Sequence, residues 1–84
     1  MNSRQLLEIS RVRRLAADGS ARYARIRAGL SLAEVGEAVG VSAATVCRWE
    51  LGQRRPVGRA ALAYARLLDG LSEDLSRCDR GEAL

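Results

Sequence analysis

The sequence predicts an all-α fold, on three observations. Ala, Leu and Arg dominate the composition, Phe is absent, and the only aromatic residues are one Trp and two Tyr. No stretch alternates Val, Ile or Thr with polar residues, as a half-buried strand would. With 84 residues and a single proline, the chain has room for one compact domain. We therefore expect a single domain over residues 1–84, a compact bundle of about five helices with an extra N-terminal helix and a short acidic C-terminal tail.

The first two helices are predicted from serine caps and apolar spacing. Ser3 is expected to cap a helix over residues 3–17 that ends at the Asp-Gly pair following it. The apolar residues that share one face of this helix are Leu6, Ile9, Val12 and Ala16, and the arginines on the other side are Arg4, Arg11 and Arg14. Ser20 is expected to cap a second helix that Gly29 closes.

Two short helices on either side of Gly40 are the most informative feature. Residues 32–39 and 43–51 each follow a serine cap, Ser31 and Ser42 respectively. A glycine permits a positive φ in the turn, which sets the helices at a steep angle and lets the second one protrude. The residues expected to pack where the two helices cross are Val35, Gly36, Val39, Val41, Val46 and Trp49. Spacing alone fits either a DNA-binding helix-turn-helix or an ordinary helical hairpin.

A fifth helix is predicted after the polar loop GQRRP, from about residue 57 to residue 69. Its buried face is expected to contain Ala61, Leu62, Ala65 and Leu68, and Leu67 and Leu71 are expected to extend this face. Residues 72–84 are expected to form one or two further turns around Leu75 and then to fray.

Charge is distributed unevenly along the chain. The 14 basic residues are all arginines, and the formal net charge is +4. Residues 1–68 hold 12 arginines and 5 acidic residues, whereas residues 69–84 hold 2 arginines and 5 acidic residues. A basic body favours a polyanionic partner, because neutralising phosphates releases their condensed counterions. The preference for arginine over lysine fits a GC-rich genome equally well.

Several classes of function lack the residues that they need. Cys47 and Cys78 have neither CxxC spacing nor histidine partners, so we expect free thiols and no metal or other cofactor. The chain has no histidine and no phosphate-cradling glycine motif, which argues against an enzyme, and no small-molecule ligand is expected. No apolar run approaches the roughly 20 residues that span a bilayer, and no signal peptide is evident. We expect a cytoplasmic protein, of a bacterium or of a phage in its host.

The stretch RIRAGLSLAEVGEAVGVSAATVCRWELGQRRP resembles the signature of the lambda-repressor and Cro-like, or xenobiotic-response-element, helix-turn-helix family. The resemblance covers residues 20–71, with the motif at residues 32–51. It implies a transcriptional regulator that binds double-stranded DNA sequence-specifically and reads the major groove with the helix at residues 43–51. A repressor of phage or mobile-element type is the expectation, and a homodimer on two half-sites remains open. The alternative is an antitoxin or another protein-interaction module built on a helix-turn-helix scaffold.

Helical geometry and the resemblance together assign candidate site residues. At 100° per residue, one side of the reading helix is formed by Ala43, Ala44, Cys47 and Arg48. These residues are expected to face the bases, with Arg48 as the main specificity residue because its forked guanidinium fits guanine. The residues expected to contact phosphates are Ser42, Thr45, Gln53, Arg54, Arg55 and Arg59. The resemblance further implies an ion pair between Glu50 on the inward side and Arg25.

Two features depart from the family pattern. Leu32 stands where a glutamine commonly begins the first helix of the motif, so a polar contact to phosphate is missing. The helix at residues 3–17 is an addition with three open roles: a cover on the core, a dimer interface, or a support for arginines along DNA.

Overall fold

The computed structural model describes the backbone of residues 1–79 and the side chains of residues 1–73. This part of the chain contains no strand and five helices: α1 (Ser3–Ala17), α2 (Ser20–Arg27), α3 (Leu32–Val39), α4 (Ala43–Glu50) and α5 (Gly58–Asp79). The predicted all-α class is confirmed, and α1 is one of the five helices. Within the described residues, no helix is both long enough and apolar enough to cross a membrane.

The cap of α1 is Asn2, and the predicted Ser3 cap is therefore wrong. The Asn2 side chain accepts a hydrogen bond from the Gln5 amide at 2.9 Å, and the Gln5 side chain accepts one from the Asn2 amide at 3.1 Å. This reciprocal pair satisfies two amides that the helix leaves free. Ser3 has no residue three positions later that could return the bond, because that position is the apolar Leu6.

The cap of α2 also differs from its prediction. Gly19 occupies the cap position in the left-handed conformation, with φ at 90°, and Ser20 is already the first helical residue. The Ser20 amide is satisfied from outside the helix, because it donates to the Asp18 carboxylate at 2.8 Å. Hydrogen bonding to the Ser20 side chain, together with this bond from the Ser20 amide, lowers the pKa of Asp18. At the other end α2 stops at Arg27, and Gly29 follows with φ at 74°.

The N-terminal helix covers the core. Ile9, Val12 and Ala16 are buried, and α1 packs against α5, α2 and α4. At the surface, Arg11 and Asp69 form an ion pair at 2.8 Å that links α1 to α5. Leu6 was expected on the buried face but is 55% exposed, so the apolar contact begins only one turn later, at Ile9.

The last helix is longer than predicted. It continues without a break from Gly58 to Asp79, so the one or two further turns expected around Leu75 are a direct continuation of α5. Leu67 and Leu71 pack against the core at helical spacing, which carries the helix beyond its expected end at residue 69. Residues 80–84 of the predicted tail lie outside the described residues.

The core lies where α5 meets the other four helices. The buried apolar residues of α5 are Ala61, Leu62, Tyr64, Ala65 and Leu68, which include all four that were predicted. The Tyr64 ring packs on Trp49 of α4, with the ring centroids 4.8 Å apart. This contact holds the inward side of α4 against the longest helix.

Candidate nucleic-acid interface

The first helix of the motif has well-defined ends. The Ser31 hydroxyl accepts a hydrogen bond from the Glu34 amide at 3.0 Å, and the Glu34 carboxylate accepts one from the Ser31 amide at 2.9 Å. These bonds to Ser31 lower the pKa of Glu34, since they favour its charged form. At the other end, Gly40 adopts the left-handed conformation with φ at 84° and donates its amide to the Gly36 carbonyl. The predicted Ser31 cap and Gly40 turn are both confirmed.

Gly36 lets the two helices of the motif approach closely. A Cβ atom built on this residue would lie 2.6 Å from the Val41 carbonyl oxygen and 3.2 Å from the Ala43 backbone nitrogen. These atoms belong to the turn and to the start of α4, so they cannot rotate away as the end of a side chain could. Around this crossing, Val35, Val39, Val46 and Trp49 are buried and Val41 is partly buried, as the sequence predicts.

The sides of α4 differ in exposure. Val46 and Trp49 face the core. On the other side Ala44 and Arg48 are exposed, while Ala43 and Cys47 are half-buried. The four residues predicted to read bases therefore lie together on the side of α4 that the core leaves uncovered.

Ser42 caps α4, as predicted, and its hydroxyl accepts a hydrogen bond from the Thr45 amide at 3.1 Å. The Ser42 and Thr45 hydroxyls also lie 3.0 Å apart and share a hydrogen bond. Thr45 lines an open groove of about 510 Å³ together with Arg54 and Arg55. Three of the predicted phosphate-binding residues are thus brought to one groove beside the start of α4.

The basic loop after α4 is attached to the backbone of Arg48. Gly52 reverses the chain with φ at 76°. The amides of Gln53 and Arg54 then donate to the Arg48 carbonyl at 2.9 Å and 3.3 Å. The side chains of Gln53, Arg54 and Arg55 are exposed, and Arg54 and Arg55 line the groove that Thr45 and Trp49 of α4 also line. Arg59 is exposed in the first turn of α5.

An ion pair joins α2 to the end of α4. Arg25 Nε donates to Glu50 Oε2 at 2.6 Å, and Arg25 Nη2 donates to Glu50 Oε1 at 2.9 Å. The hydrogen bonds that Arg25 donates to Glu50 raise the pKa of Arg25. The pair lies in the wall of an open groove of about 580 Å³, which is also lined by Arg22, Leu32 and Cys47. Among the residues that the structure describes, no group of His, Cys, Asp and Glu side chains could hold a metal ion.

One contact at this surface has no signal in the sequence. Arg13 Nε of α1 donates to the Pro56 carbonyl at 2.8 Å, at the end of the basic loop. The two residues are 43 positions apart, and neither cap rules nor helical periodicity connects them.

A helical domain that presents one side of a short helix next to a basic loop defines the class of DNA-binding helix-turn-helix proteins. A family model described as helix-turn-helix matches residues 22–75, and the chain belongs to this family, that of the lambda-repressor and Cro-like proteins. Neither a curated protein nor a solved structure matches the chain. The matched residues include the motif, the basic loop and most of α5, but they do not include α1.

Proposed function

We propose that the protein is a transcriptional regulator that binds double-stranded DNA sequence-specifically, with α4 in the major groove. The observation that carries this proposal is the position of Arg48. Its guanidinium is on the exposed side of α4, and its backbone carbonyl holds the loop that presents Arg54 and Arg55. One short segment thus places a group that can read guanine beside two groups that can bind phosphate.

The proposed reading surface is small. Arg48 supplies the forked donor for guanine O6 and N7, and Ala43 and Ala44 offer methyl groups that can contact thymine. Cys47 is a small, half-buried neighbour of these residues. With so few polar groups on α4, part of the specificity is expected to come from the shape and deformability of the DNA.

The proposed phosphate contacts surround this reading surface. Arg54 and Arg55 are the strongest candidates, because they are exposed cations on a loop fixed to α4. Thr45 shares their groove, and Ser42 contributes the N-terminal end of α4, where helix amides attract anions. Gln53, which precedes them in the loop, and Arg59, in the first turn of α5, are also exposed. These contacts fix the position of α4 without reading the sequence.

The biological setting that we propose is repression of a phage or mobile-element promoter in the bacterial cytoplasm. A homodimer would place two copies of α4 about 34 Å apart, in successive major grooves on one side of the duplex. A domain of this size gains contact area and specificity from such pairing. Protection of two half-sites one helical turn apart in a footprint would support the dimer.

A competing function, a protein-interaction module such as an antitoxin, is favoured by one observation. Met1, Leu6 and Leu7 are 65%, 55% and 71% exposed at the start of α1, which is more apolar surface than an isolated exposed leucine gives. Under this alternative, α1 would bind a partner protein and the helix-turn-helix would serve as a scaffold.

A binding assay over a salt series distinguishes the two functions. The probe is the duplex upstream of the protein's own gene, with a shuffled duplex of equal length and composition as the control. A regulator is expected to prefer the upstream duplex and to lose affinity steeply as salt rises from about 50 to 200 mM. No binding to either duplex at the lowest salt would reject DNA binding. Equal binding to both at every salt concentration would reject sequence specificity.

A further inference from the structure

The basic loop is held at both of its ends. At its start, the amides of Gln53 and Arg54 donate to the Arg48 carbonyl. At its end, Pro56 is fully buried, and its carbonyl accepts the hydrogen bond from Arg13 Nε. A buried carbonyl needs a donor, and here that donor comes from α1, 43 positions earlier in the chain.

The space between α1 and the loop is small and carries positive charge. A cavity of about 80 Å³ is lined by Arg13 and Ala16 of α1, by Trp49 of α4, and by Arg54, Arg55 and Pro56. None of the acidic side chains that the structure describes lines it. Arg13 therefore stands beside two other cations, and its polar contact is a backbone carbonyl. In this arrangement the guanidinium fixes the course of the loop and adds to the positive field that attracts phosphate.

We propose that Arg13 is a positioning residue of the DNA interface: it holds the Pro56 carbonyl and so orders the loop that presents Arg54 and Arg55 to the DNA backbone. This inference rests on the proposed function for its effect on binding. It gives α1, which lies outside the matched residues 22–75, a part in DNA binding without a DNA contact of its own. A loop whose backbone is ordered before binding spares the entropy cost of ordering that backbone on the DNA.

The first experiment measures the loop in the protein without DNA. Arg13→Met keeps the aliphatic stem of the side chain and removes its donors. Arg14→Met removes the same charge from the next residue, which is exposed. Hydrogen exchange at the amides of Gln53 and Arg54 is expected to accelerate in Arg13→Met and to stay at the wild-type rate in Arg14→Met. Unchanged exchange in Arg13→Met would overturn the positioning role, whatever the protein binds.

The second experiment measures affinity for the upstream duplex at constant salt. Arg13→Met is expected to weaken binding about tenfold, as the cost of ordering the backbone of about one loop residue implies, and by clearly more than Arg14→Met does. In a background of Arg54→Ala with Arg55→Ala, Arg13→Met is expected to weaken binding no more than Arg14→Met does, because the groups that it positions are gone and only its charge is lost. A full effect in that background would show that Arg13 binds phosphate directly. Equal effects of Arg13→Met and Arg14→Met would show that only charge matters.

A third variant keeps the test decisive if Arg13→Met folds poorly. Arg13→Lys retains a cationic donor for the Pro56 carbonyl and is expected to restore slow amide exchange and most of the affinity. Failure of Arg13→Lys to restore either property, in a protein with a wild-type melting temperature, would overturn the inference. If the wild-type protein binds no DNA, the proposed function fails, while the exchange experiment still decides whether Arg13 orders the loop.

Discussion

Arg25 and Glu50 lock α2 to the last turn of α4 through two parallel hydrogen bonds, 2.6 Å and 2.9 Å long. A third donor of the same guanidinium, Nη1, reaches the Leu30 carbonyl at 2.9 Å. Only 13% of the Arg25 side chain and 4% of the Glu50 side chain are exposed. Because both charges have been taken out of water, each depends on the other for compensation.

Arg25→Ala is expected to destabilise the fold strongly. It leaves the Glu50 carboxylate buried without its cation, which typically costs about 3–5 kcal/mol. For a domain of this size, that loss lowers the melting temperature by more than about 10 °C. At low temperature, the fraction that remains folded should bind DNA almost normally, because Arg25 is not among the proposed contacts. Thermal unfolding and a cold binding assay measure the two effects, and an unchanged melting temperature would refute the importance of the pair.

Two control variants separate the pair from a general loss of charge. Arg22→Ala removes an exposed arginine from the same helix and is expected to change stability by no more than about 0.5 kcal/mol. Replacing both partners, as in Arg25→Met with Glu50→Leu, removes both buried charges and should give a more stable protein than Arg25→Ala alone.

The motif could be predicted from sequence because its determinants are local. Ser31, Gly40 and Ser42 are caps and a turn residue within a dozen positions, and each acts on its own backbone neighbours. The same serine rule failed at Ser3 and Ser20. There the preceding residue, Asn2 or Gly19, already occupies the cap position, and a serine one position later simply begins the helix.

The parts that could not be predicted depend on tertiary contacts. The spacing of Leu67 and Leu71 predicted that the buried face of α5 extends to residue 71, but it did not show that the helix runs without a break to Asp79. The bond from Arg13 to the Pro56 carbonyl depends on where two distant segments meet. The 100° spacing of helical residues predicted which side of α4 is exposed. It could not predict the preferred bases, because Ala43 and Ala44 carry no polar group that would select one.

Gly36→Ala is expected to destabilise the protein by about 1–3 kcal/mol, as overpacking does when the neighbouring atoms cannot move. The added methyl group would meet the Val41 carbonyl at 2.6 Å and force α3 and α4 apart. Gly70→Ala is the matched control, because nothing lies within 4 Å of its added Cβ and the residue is inside α5. The free energy of unfolding of that variant should rise by about 0.5–1 kcal/mol, because alanine favours a helix more than glycine does. Chemical denaturation measures both variants, and a shift of the same sign in both would contradict this account of the helix crossing.

Arg48→Ala and Arg54→Ala are expected to affect DNA binding in different ways. Arg48→Ala should remove the preference for one base pair. The binding free energy should fall by about 1–3 kcal/mol on the preferred duplex and by much less on a duplex altered at that position. Arg54→Ala should weaken binding to every duplex and reduce the salt slope by about one. Affinities for a panel of single-base-pair variants over a salt series measure both effects. An equal loss on all duplexes for Arg48→Ala would remove it from the reading surface.

The alkaline limit of stability is expected to depend on Tyr64. Burial, with the nearby Glu50 charge adding to it, raises the pKa of the Tyr64 hydroxyl from 10.0 to about 12. Its contribution to stability is therefore complete below pH 10 and is lost as the pH rises towards 12.

Tyr64→Phe keeps the ring on Trp49 and removes a hydroxyl that has no hydrogen-bond partner among the described residues. Stability at pH 7 should change by less than about 1 kcal/mol. Melting temperatures from pH 9 to 12 should then fall less steeply for Tyr64→Phe than for wild type or for Tyr23→Phe, which alters an exposed ring on α2. A parallel decline in all three proteins would mean that another group sets the alkaline limit.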